Sequence, residues 1–207
     1  MIDFKKEQKE LYNPKTIPSL VDVPEMVFIA VDGKGNPNTS EEYKAALEAL
    51  YGLSYTIKMS YKSDWKIAGY YEYTVGPLEG LWWLEDKSDE WYHDKGKYCW
   101  TSLIRQPDFV KDEVFEAAKL VLKKKKPHIN TDARLIRFKE GLCVQAMHIG
   151  SYDYEPRTKA LINQFIADNG VIGDISDTRR HHEIYLNDPR KTAPEKLKTV
   201  LRHPVRK

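Results

Sequence analysis

Apolar and polar positions along the chain form strand-like runs and helix-like stripes in turn. Residues 26–31 are an apolar run that ends in a turn rich in Gly and Asn, which predicts a buried strand. Thr39 and Glu42 form a capping box at the start of a helix. The apolar stripe of that helix consists of Tyr43, Ala46, Leu47, Leu50, Tyr51 and Ile57. Strand-like segments follow at residues 69–75, 81–84 and 98–104, with a polar connection at 86–97.

The next helix is predicted to begin at Asp108 and to end at four lysines, residues 123–126, before Pro127. Its apolar positions are Val110, Val114, Phe115, Ala118, Val121 and Leu122. Lysines at the C-terminus of a helix complement the helix dipole. We therefore interpret these lysines as a solvated helix end rather than as a phosphate-binding patch.

The second half of the chain continues with the same kinds of element. Strand-like residues 133–138 and 142–149 are separated by Glu140-Gly141, which predicts a β-hairpin. Pro156 opens a third helix that ends at the pair Asn169-Gly170. The apolar positions of this helix are Leu161, Ile162, Phe165 and Ile166. The last predicted elements are two strands, at residues 182–186 and 197–202, the latter ended by Pro204.

The order strand, helix, strand, strand therefore occurs twice, once in the first half and once after residue 142. Three local similarities support a duplication: 27–33 with 144–150, 71–73 with 182–184, and 103–107 with 200–204. Two such units side by side predict an α+β fold, with an antiparallel sheet, helices on one face and a concave ligand cleft. The predicted single domain has an N-terminal arm at 1–25, a first repeat at 26–107, a connecting helix and strand at 108–141, and a second repeat at 142–207.

Composition narrows the classes of function. The 33 Lys and Arg residues against 31 Asp and Glu give a formal net charge of +2. This is too small for the positive field that duplex DNA binding relies on, so no direct nucleic-acid partner is expected. The 13 Tyr, 6 Phe and 5 Trp residues are numerous, which is typical of a rigid core, an adhesive surface or a ring-lined pocket.

The sequence also predicts the cellular compartment. Cys99 and Cys143 lie far apart in candidate strands, so both are predicted to be reduced structural thiols. The N-terminus is charged and contains no apolar h-region. No apolar run approaches the ~18 residues that a membrane span needs. We therefore predict a cytoplasmic protein without a membrane partner.

The strongest candidates for chemistry lie in residues 181–190. Strand alternation places Glu183 and Tyr185 on one face and Ile184 and Leu186 on the other. The apolar pair suits the helix-covered core, so Glu183 and Tyr185 are predicted to face the cleft. Burial among rings should raise the pKa of the Glu183 carboxyl, which suits a general base or a group that holds a cationic ligand. The alternative is a Glu at a strand edge that faces water.

Histidines offer weaker candidates. His181 and His182 are adjacent and point to opposite faces of a strand, and no HxxxH or CxxC spacing completes a zinc site. We expect no metal and no other cofactor, and interpret both as surface or orienting residues. His148 and Tyr152 could reach the ligand from the turn before the third helix, although a single His at a strand end is more often structural. The chain has no Gly-rich phosphate loop and no GxSxG motif.

Aromatic residues supply further candidate ligand contacts. Two consecutive tryptophans on a strand cannot both face the core, so Trp82 or Trp83 is predicted to face the cleft as a stacking platform. The strand register decides which of Tyr71, Glu72 and Tyr73 line the cleft. The duplication favours Glu72, and the abundance of rings keeps both tyrosines as alternatives.

Together these segments resemble the GyrI-like small-molecule-binding family in its stand-alone form. The resemblance runs from the N-terminal arm to the final His-Pro-Val, and its most diagnostic part is His-His-Glu-Ile-Tyr-Leu-Asn-Asp-Pro at residues 181–189. Its other specific parts are residues 77–83, 104–110, 145–150 and 198–205. It implies the duplicated strand-helix-strand-strand fold called an SHS2 duplication.

Relatives in this family include effector domains of multidrug-sensing activators, a gyrase-inhibiting protein and stand-alone proteins. Some of the stand-alone relatives hydrolyse the cyclopropane ring of DNA-alkylating natural products. In the drug-sensing domains a glutamate of the late strand lies in an aromatic cleft, and Glu183 matches that position. No helix-turn-helix pattern precedes Met26, so direct control of transcription is not expected.

The resemblance implies a detoxifying hydrolase as the first hypothesis. In it Glu183 would deprotonate water, and Tyr185 would donate a hydrogen bond to the dienone oxygen of a cyclopropanoid compound. The second hypothesis is a non-catalytic multidrug-binding module that sequesters flat hydrophobic or cationic molecules. A third is a gyrase-inhibitor-like protein, whose protein partner the sequence does not identify.

Overall fold

The computed structural model describes residues 1–85, 94–130 and 132–207. Most of the predicted polar connection at 86–97 therefore lies outside the described residues. The helices are α1 (Phe4–Glu7), α2 (Lys9–Tyr12), α3 (Glu41–Lys58), α4 (Asp112–Lys125) and α5 (Glu155–Asp168). The strands are β1 (Ser19–Lys34), β2 (Leu78–Leu84), β3 (Tyr98–Gln106), β4 (Arg134–Ile149), β5 (Ile172–Gly173), β6 (His181–Tyr185) and β7 (Lys198–Arg206).

The predicted fold class is confirmed. The strand ladders are antiparallel, and the order β1-α3-β2-β3 is followed by β4-α5-β6-β7, with the short β5 between α5 and β6. The chain forms two compact units. The first comprises Met1–Asp3, Met26–Gly76 and Trp83–Phe138, and the second Phe4–Glu25, Pro77–Trp82 and Lys139–Lys207. The predicted repeat boundaries and the cleft between the repeats stay predictions.

In the first unit, β1 and β3 form an antiparallel ladder from Val27 opposite Gln106 to Lys34 opposite Cys99. Helix α3 packs against β3 and α4. Its residues Leu50, Leu53 and Ile57 are fully buried, and their spacing of three and four places them on one face of the helix. These apolar contacts between helix and strand make the core of the unit.

In the second unit, β6 pairs with β2 on one side and with β7 on the other, and β7 also pairs with β4 and β5. Helix α5 covers one face of β4 and β7, where Ile162 packs into a buried cluster with Val144, Ala146 and Leu201. Tyr12 of α2 is buried in the same unit. The predicted N-terminal arm is therefore ordered, since it contains α1, α2 and the start of β1.

Two predictions about helix starts were wrong by a few residues. The cap of α3 is Ser40, whose Oγ accepts a hydrogen bond from the backbone N–H of Tyr43 at 3.2 Å. Helix α4 begins at Asp112 because Pro107 and Val110 first form a turn, closed by a backbone hydrogen bond of 3.0 Å. Helix α5 agrees with the prediction: Pro156 lies in its first turn, Asn169 is its C-cap and Gly170 has φ 65°.

The predicted strand at residues 69–75 was also wrong. Only Tyr73 forms a bridge in this segment, with Ile2. Its tyrosines pack their rings on Phe109 instead, with ring centroids 5.2–5.9 Å apart. Aromatic packing thus replaces a strand ladder here.

The predicted hairpin at Glu140-Gly141 is instead an irregularity within the continuous strand β4. Gly141 has φ 71°, which glycine adopts without strain. The Arg179 guanidinium donates hydrogen bonds to the carbonyl oxygens of Glu140 and Leu142, at 2.8 and 2.7 Å. The pair Glu140-Gly141 therefore lies within a strand instead of forming a turn, because the distant Arg179 side chain forms hydrogen bonds with the carbonyl groups on either side of Gly141. Pro204 likewise does not end β7, which continues to Arg206.

Candidate functional site

The alternation along β6 brings the principal candidates together. Glu183 and Tyr185 lie on one face of the strand, as predicted. His181 shares that face, and hydrogen bonds join all three residues. Across the neighbouring strand β2, Trp82 lies directly opposite His181. Residues opposite each other in an antiparallel pair share a face, so Trp82 rather than Trp83 is the tryptophan beside Glu183.

A chain of hydrogen bonds fixes the Glu183 carboxylate. The Nε1 of Trp82 donates to the Tyr185 hydroxyl at 2.9 Å, and that hydroxyl donates to Oε2 of Glu183 at 2.7 Å. The other oxygen, Oε1, lies 2.8 Å from Nε2 of His181. Because the carboxylate accepts and the imidazole donates, Nε2 of His181 carries the proton. The carboxylate is thus held from both sides by groups on its own face.

Helix α5 adds a positive charge that the sequence analysis missed. The Nζ of Lys159 lies 3.7 Å from Oε1 of Glu183, and the Lys159 side chain is only 17% exposed. Lys159 precedes Ile162 by three residues and therefore lies on the buried face of α5. The three-residue spacing between Lys159 and the apolar position Ile162 was the sequence signal from which this buried lysine could have been predicted.

The predicted assignment of the two faces of β6 was wrong. Glu183 is opposite Leu201 on β7, and Leu201 packs against Ile162 of α5. Glu183 therefore lies on the face that α5 covers, whereas Ile184 lies on the other face. This face is otherwise apolar, and the first turns of α5 provide polar residues, including Lys159, beside the Glu183 carboxylate.

Glu183 is nevertheless largely buried, with 9% of its surface exposed. The alternative of a strand-edge glutamate facing water is therefore contradicted. Burial disfavours the charged carboxylate, but the hydrogen bond from His181 and the charge of Lys159 outweigh it and hold the pKa of Glu183 well below its usual range. The predicted rise in this pKa was wrong because partners of the charged form, rather than rings alone, surround the carboxyl.

Two histidines next to the carboxylate are neutral at pH 7. Burial, followed by the charge of Lys159, lowers the pKa of His181 to about 4. The ring of His203 packs edge-on against that of His181, with centroids 4.9 Å apart. Burial also lowers the pKa of His203 well below its ordinary value. His181 is thus an orienting residue rather than a surface one.

Of the candidates near the start of α5, Tyr152 lies close to the Glu183 carboxylate, whereas His148 forms hydrogen bonds with other groups. The Tyr152 ring meets that of Tyr185 edge-on, with centroids 5.8 Å apart. Burial, with help from nearby acids including Glu183, raises the pKa of Tyr152 to about 12. His148 has Nδ1 2.9 Å from the Thr158 hydroxyl and Nε2 3.0 Å from a backbone oxygen, so both ring nitrogens are engaged within the protein.

The remaining candidates, Tyr71, Glu72, Tyr73 and Trp83, belong to the first compact unit. Tyr73 is 1% exposed, and burial raises the pKa of its hydroxyl. Tyr71 and Trp83 are half-buried. The contribution of these four residues to ligand binding stays a prediction.

The opposite face of β6 carries a buried network of charged groups that sequence reasoning also missed. His182 lies between two carboxylates, with Nε2 2.9 Å from Glu79 and Nδ1 3.0 Å from Glu140. Arg202 donates to Glu140 at 2.8 Å and to the backbone oxygen of Leu11 at 2.9 Å. All four of these side chains are 1–2% exposed.

The charges in this network determine one another's ionisation. Burial opposes the charged form of His182, but Glu140 and Glu79 outweigh it and raise its pKa to about 9. Burial likewise opposes ionisation of Glu140, yet His182 and Arg202 lower its pKa to about 2. At pH 7 His182 and Arg202 are therefore cations and Glu140 is an anion. Through Leu11 it anchors the N-terminal segment to the strands.

Within residues 1–85, 94–130 and 132–207, no three His, Cys, Asp or Glu side chains are grouped as a metal site requires. The absence of a metal cofactor stays a prediction. In the same part of the chain, no helix combines the length and the apolar character needed to span a bilayer.

Glu183 and the side chains that surround it, namely His181, Tyr185, Trp82 and Lys159, are called the Glu183 cluster below. The model of the GyrI-like small-molecule-binding domain matches residues 17–206. The chain belongs to this family. The match confirms the resemblance inferred from the sequence and covers nearly the whole GyrI-like chain. No protein with a curated description matches it.

Solved structures from Listeria innocua are similar to this GyrI-like protein over its full length. One, described as an uncharacterized conserved protein, is 51% identical with a TM-score of 0.95, and 100% of each chain is covered. Another, described as a hydrolase, is 48% identical with a TM-score of 0.92 and the same coverage. The EcmrR C-terminal domain is 13% identical, with a TM-score of 0.56 over 92% of this chain and 97% of that one, and shows the shared fold.

Proposed function

We propose that this GyrI-like protein binds flat aromatic xenobiotics and hydrolyses them, opening the cyclopropane ring of DNA-alkylating compounds and so protecting the cell. One observation carries the proposal: an ionised, largely buried carboxylate, Glu183, is fixed by hydrogen bonds beside the rings of Tyr185, Trp82 and Tyr152. The similar Listeria proteins described as hydrolases, at 48% and 50% identity, support an enzymatic role.

The reaction adds one water molecule to the substrate. The water oxygen forms a bond to the cyclopropane methylene carbon while a carbon–carbon bond of the strained ring breaks. The released electron pair moves into the conjugated dienone, which becomes an aromatic phenolate. Glu183 takes the proton from water and passes it on, so that the product leaves as a phenol and the carboxylate is restored.

Tyr185 has a defined part in this scheme. Its hydroxyl accepts from Trp82 and donates to Glu183 in the free protein. When the substrate binds, the hydroxyl stops donating to the Glu183 carboxylate and donates instead to the dienone oxygen, where negative charge develops. Losing this hydrogen bond makes Glu183 more basic at the moment when it must accept a proton.

The surroundings of Glu183 favour hydrolysis over sequestration of cationic drugs. Lys159 already supplies a positive charge 3.7 Å from the carboxylate, and His181 donates to the same oxygen. A cationic ligand would have to displace or oppose the lysine, at a cost in affinity. A neutral electrophile meets no such repulsion.

Product analysis tests the proposed reaction against simple binding. The protein is incubated with a dienone-conjugated cyclopropane compound, and the small molecule is analysed by mass spectrometry. We expect a product heavier by one water molecule, formed catalytically rather than in one equivalent per protein. Binding of the compound, detected by tryptophan quenching, without any change in its mass would show sequestration and contradict the proposal.

The pH dependence of the reaction should follow from the lowered pKa of Glu183. A carboxyl with a depressed pKa stays ionised until strongly acidic pH, so kcat/KM should be constant from about pH 6 to about pH 8. It should fall as the pH approaches about 4, where His181 becomes protonated. A rate that increases through neutral pH would instead indicate a raised pKa and contradict the assignment.

The matched variants Lys159→Met and Lys196→Met sharpen this test. Lys159 lowers the pKa of both Glu183 and His181, so removing its charge raises both pKa values and the acidic decline in kcat/KM should move to higher pH. Lys196 is exposed and its replacement should leave the profile unchanged. Identical profiles for both variants would exclude Lys159 as a group that lowers the pKa values of His181 and Glu183.

A further inference from the structure

A second region with ligand-binding features lies wholly within the first compact unit. Helix α3 buries one apolar stripe in the core, yet it carries another that is open to solvent. Tyr51 and Tyr55 of this helix and Met59, directly after its last residue, recur every four residues and are 38%, 49% and 36% exposed. The sequence analysis placed Tyr51 on the buried stripe, and the structure contradicts this. An exposed apolar stripe of this kind is typical of a binding surface.

This stripe forms one wall of a groove with a volume of about 840 Å³ between α3, α4 and the segment that follows α3. The volume is within the range of about 300–1,000 Å³ found for pockets that hold small organic molecules. The apolar lining consists of Tyr51, Tyr55, Met59, Trp65, Val121 and Leu122. A groove of this volume is better suited to bind a small molecule than to bind the flat surface of another protein.

The aromatic wall of the groove favours a flat ligand. The rings of Tyr51 and Tyr55 are stacked, with centroids 6.5 Å apart and an angle of 27° between their planes. Trp65, which is half-buried, also lines the groove. Planar rings bind most favourably to other planar rings by stacking or edge contacts.

The charge at one end of the groove favours a negative ligand. Lys124, Lys125 and Lys126 line it, and all three are exposed. The acid in the lining, Glu48, has its Oε1 3.3 Å from Nε2 of His128. Three ammonium groups against one carboxylate leave this end positive. The lysines that complement the dipole of α4 therefore also line one end of an apolar groove, a placement that the sequence alone did not show.

We propose that this groove, here named the α3–α4 groove, is a second binding site, for a small organic anion with a flat aromatic body and a carboxylate or sulfonate group. The aromatic body lies against Tyr51, Tyr55 and Trp65. The anionic group is held by Lys124, Lys125 and Lys126. This site is independent of the proposed hydrolysis, because none of its residues belongs to the Glu183 cluster.

Titration with 8-anilinonaphthalene-1-sulfonate, an aromatic sulfonate that fluoresces in apolar surroundings, tests the proposal. The compared proteins are the wild type and the variant Lys124→Gln/Lys125→Gln/Lys126→Gln, whose changes are exposed and should leave the fold intact. Three exposed charge interactions together predict a loss of affinity of about tenfold in the variant. Added salt should weaken binding to the wild type more than to the variant.

Matched controls separate the α3–α4 groove from other sites. The variant Lys191→Gln/Lys196→Gln/Lys198→Gln removes three exposed lysines elsewhere and should bind the probe like the wild type. Tyr55→Ala should weaken binding of both the sulfonate and the uncharged N-phenyl-1-naphthylamine, whereas the triple lysine variant at the groove should weaken only the sulfonate. Trp65→Phe should reduce energy transfer from protein to probe.

Several outcomes would overturn the proposal. One is equal affinity of the wild type and the Lys124–Lys126 variant for the sulfonate, and another is the absence of binding. Loss of binding in Glu183→Gln, with none in Tyr55→Ala, would assign the probe to the other site. A dimer that sedimentation detects in the wild type and that dissociates in Tyr55→Glu would show that a second copy of the chain occupies the groove.

Discussion

Replacing Glu183 by glutamine is expected to lower kcat for cyclopropane hydrolysis by about 10²- to 10⁴-fold, the range associated with losing a general base. Glutamine has nearly the same shape but cannot accept the proton from water. The rings of Trp82 and Tyr185 remain in place, so the variant should still bind the substrate. Single-turnover rates measured by mass spectrometry, together with tryptophan quenching, separate the two effects.

Glu195→Gln is the matched control, because it makes the same chemical change at an exposed position of the same compact unit. Its kcat should equal that of the wild type. Tyr185→Phe should be intermediate, because the hydrogen bond to the dienone oxygen is lost while the base is kept. Equal hydrolysis by wild type and Glu183→Gln would remove Glu183 from the mechanism.

The second large effect concerns stability. Arg202→Met is expected to lower the free energy of unfolding by about 3–5 kcal/mol, as when one partner of a buried ion pair is removed. The guanidinium donates to Glu140, to Gln145 and to the backbone oxygen of Leu11, at 2.8–3.1 Å. Without it, Glu140 keeps a buried charge with one cationic partner fewer, and the N-terminal segment loses a contact. Urea unfolding followed by circular dichroism measures the change.

Two further variants define the cause of this loss. Arg190→Met removes an exposed arginine paired with Asp188, and its effect should be much smaller than that of Arg202→Met. In the double variant Arg202→Met/Glu140→Gln the uncompensated charge of Glu140 is gone, so part of the lost stability should return. A loss for Arg202→Met no larger than that for Arg190→Met would contradict a structural role for the network.

Local features of the fold were largely readable from the sequence. The apolar spacing around Pro156 and the pair Asn169-Gly170 located α5 within about one residue. Errors arose where a distant group changed the outcome of a local signal. Gly141 was predicted to form a hairpin, and Arg179, almost forty residues away, instead holds the strand continuous. Tyr73 was placed in a strand, and its ring packs on Phe109.

At the candidate site, too, local features were predictable from the sequence and the effects of distant residues were not. Glu183 and Tyr185 were correctly placed on one face of β6, because alternation along a strand is a local rule. Neither the face that α5 covers nor the direction of the pKa shift followed from that rule. Both depend on Lys159 and His181, which surround the carboxyl only in the folded chain.

The sequence by itself therefore determined the strand-helix-strand-strand order of each half, the family and the shared face of Glu183 and Tyr185, since each depends on spacing and motifs within short segments. Only the tertiary structure decided the ionisation of Glu183, the buried charges around Arg202 and the groove beside Tyr55. These properties depend on short distances between residues far apart in the chain. Electrostatic interactions and burial respond to such distances, which a linear pattern does not contain.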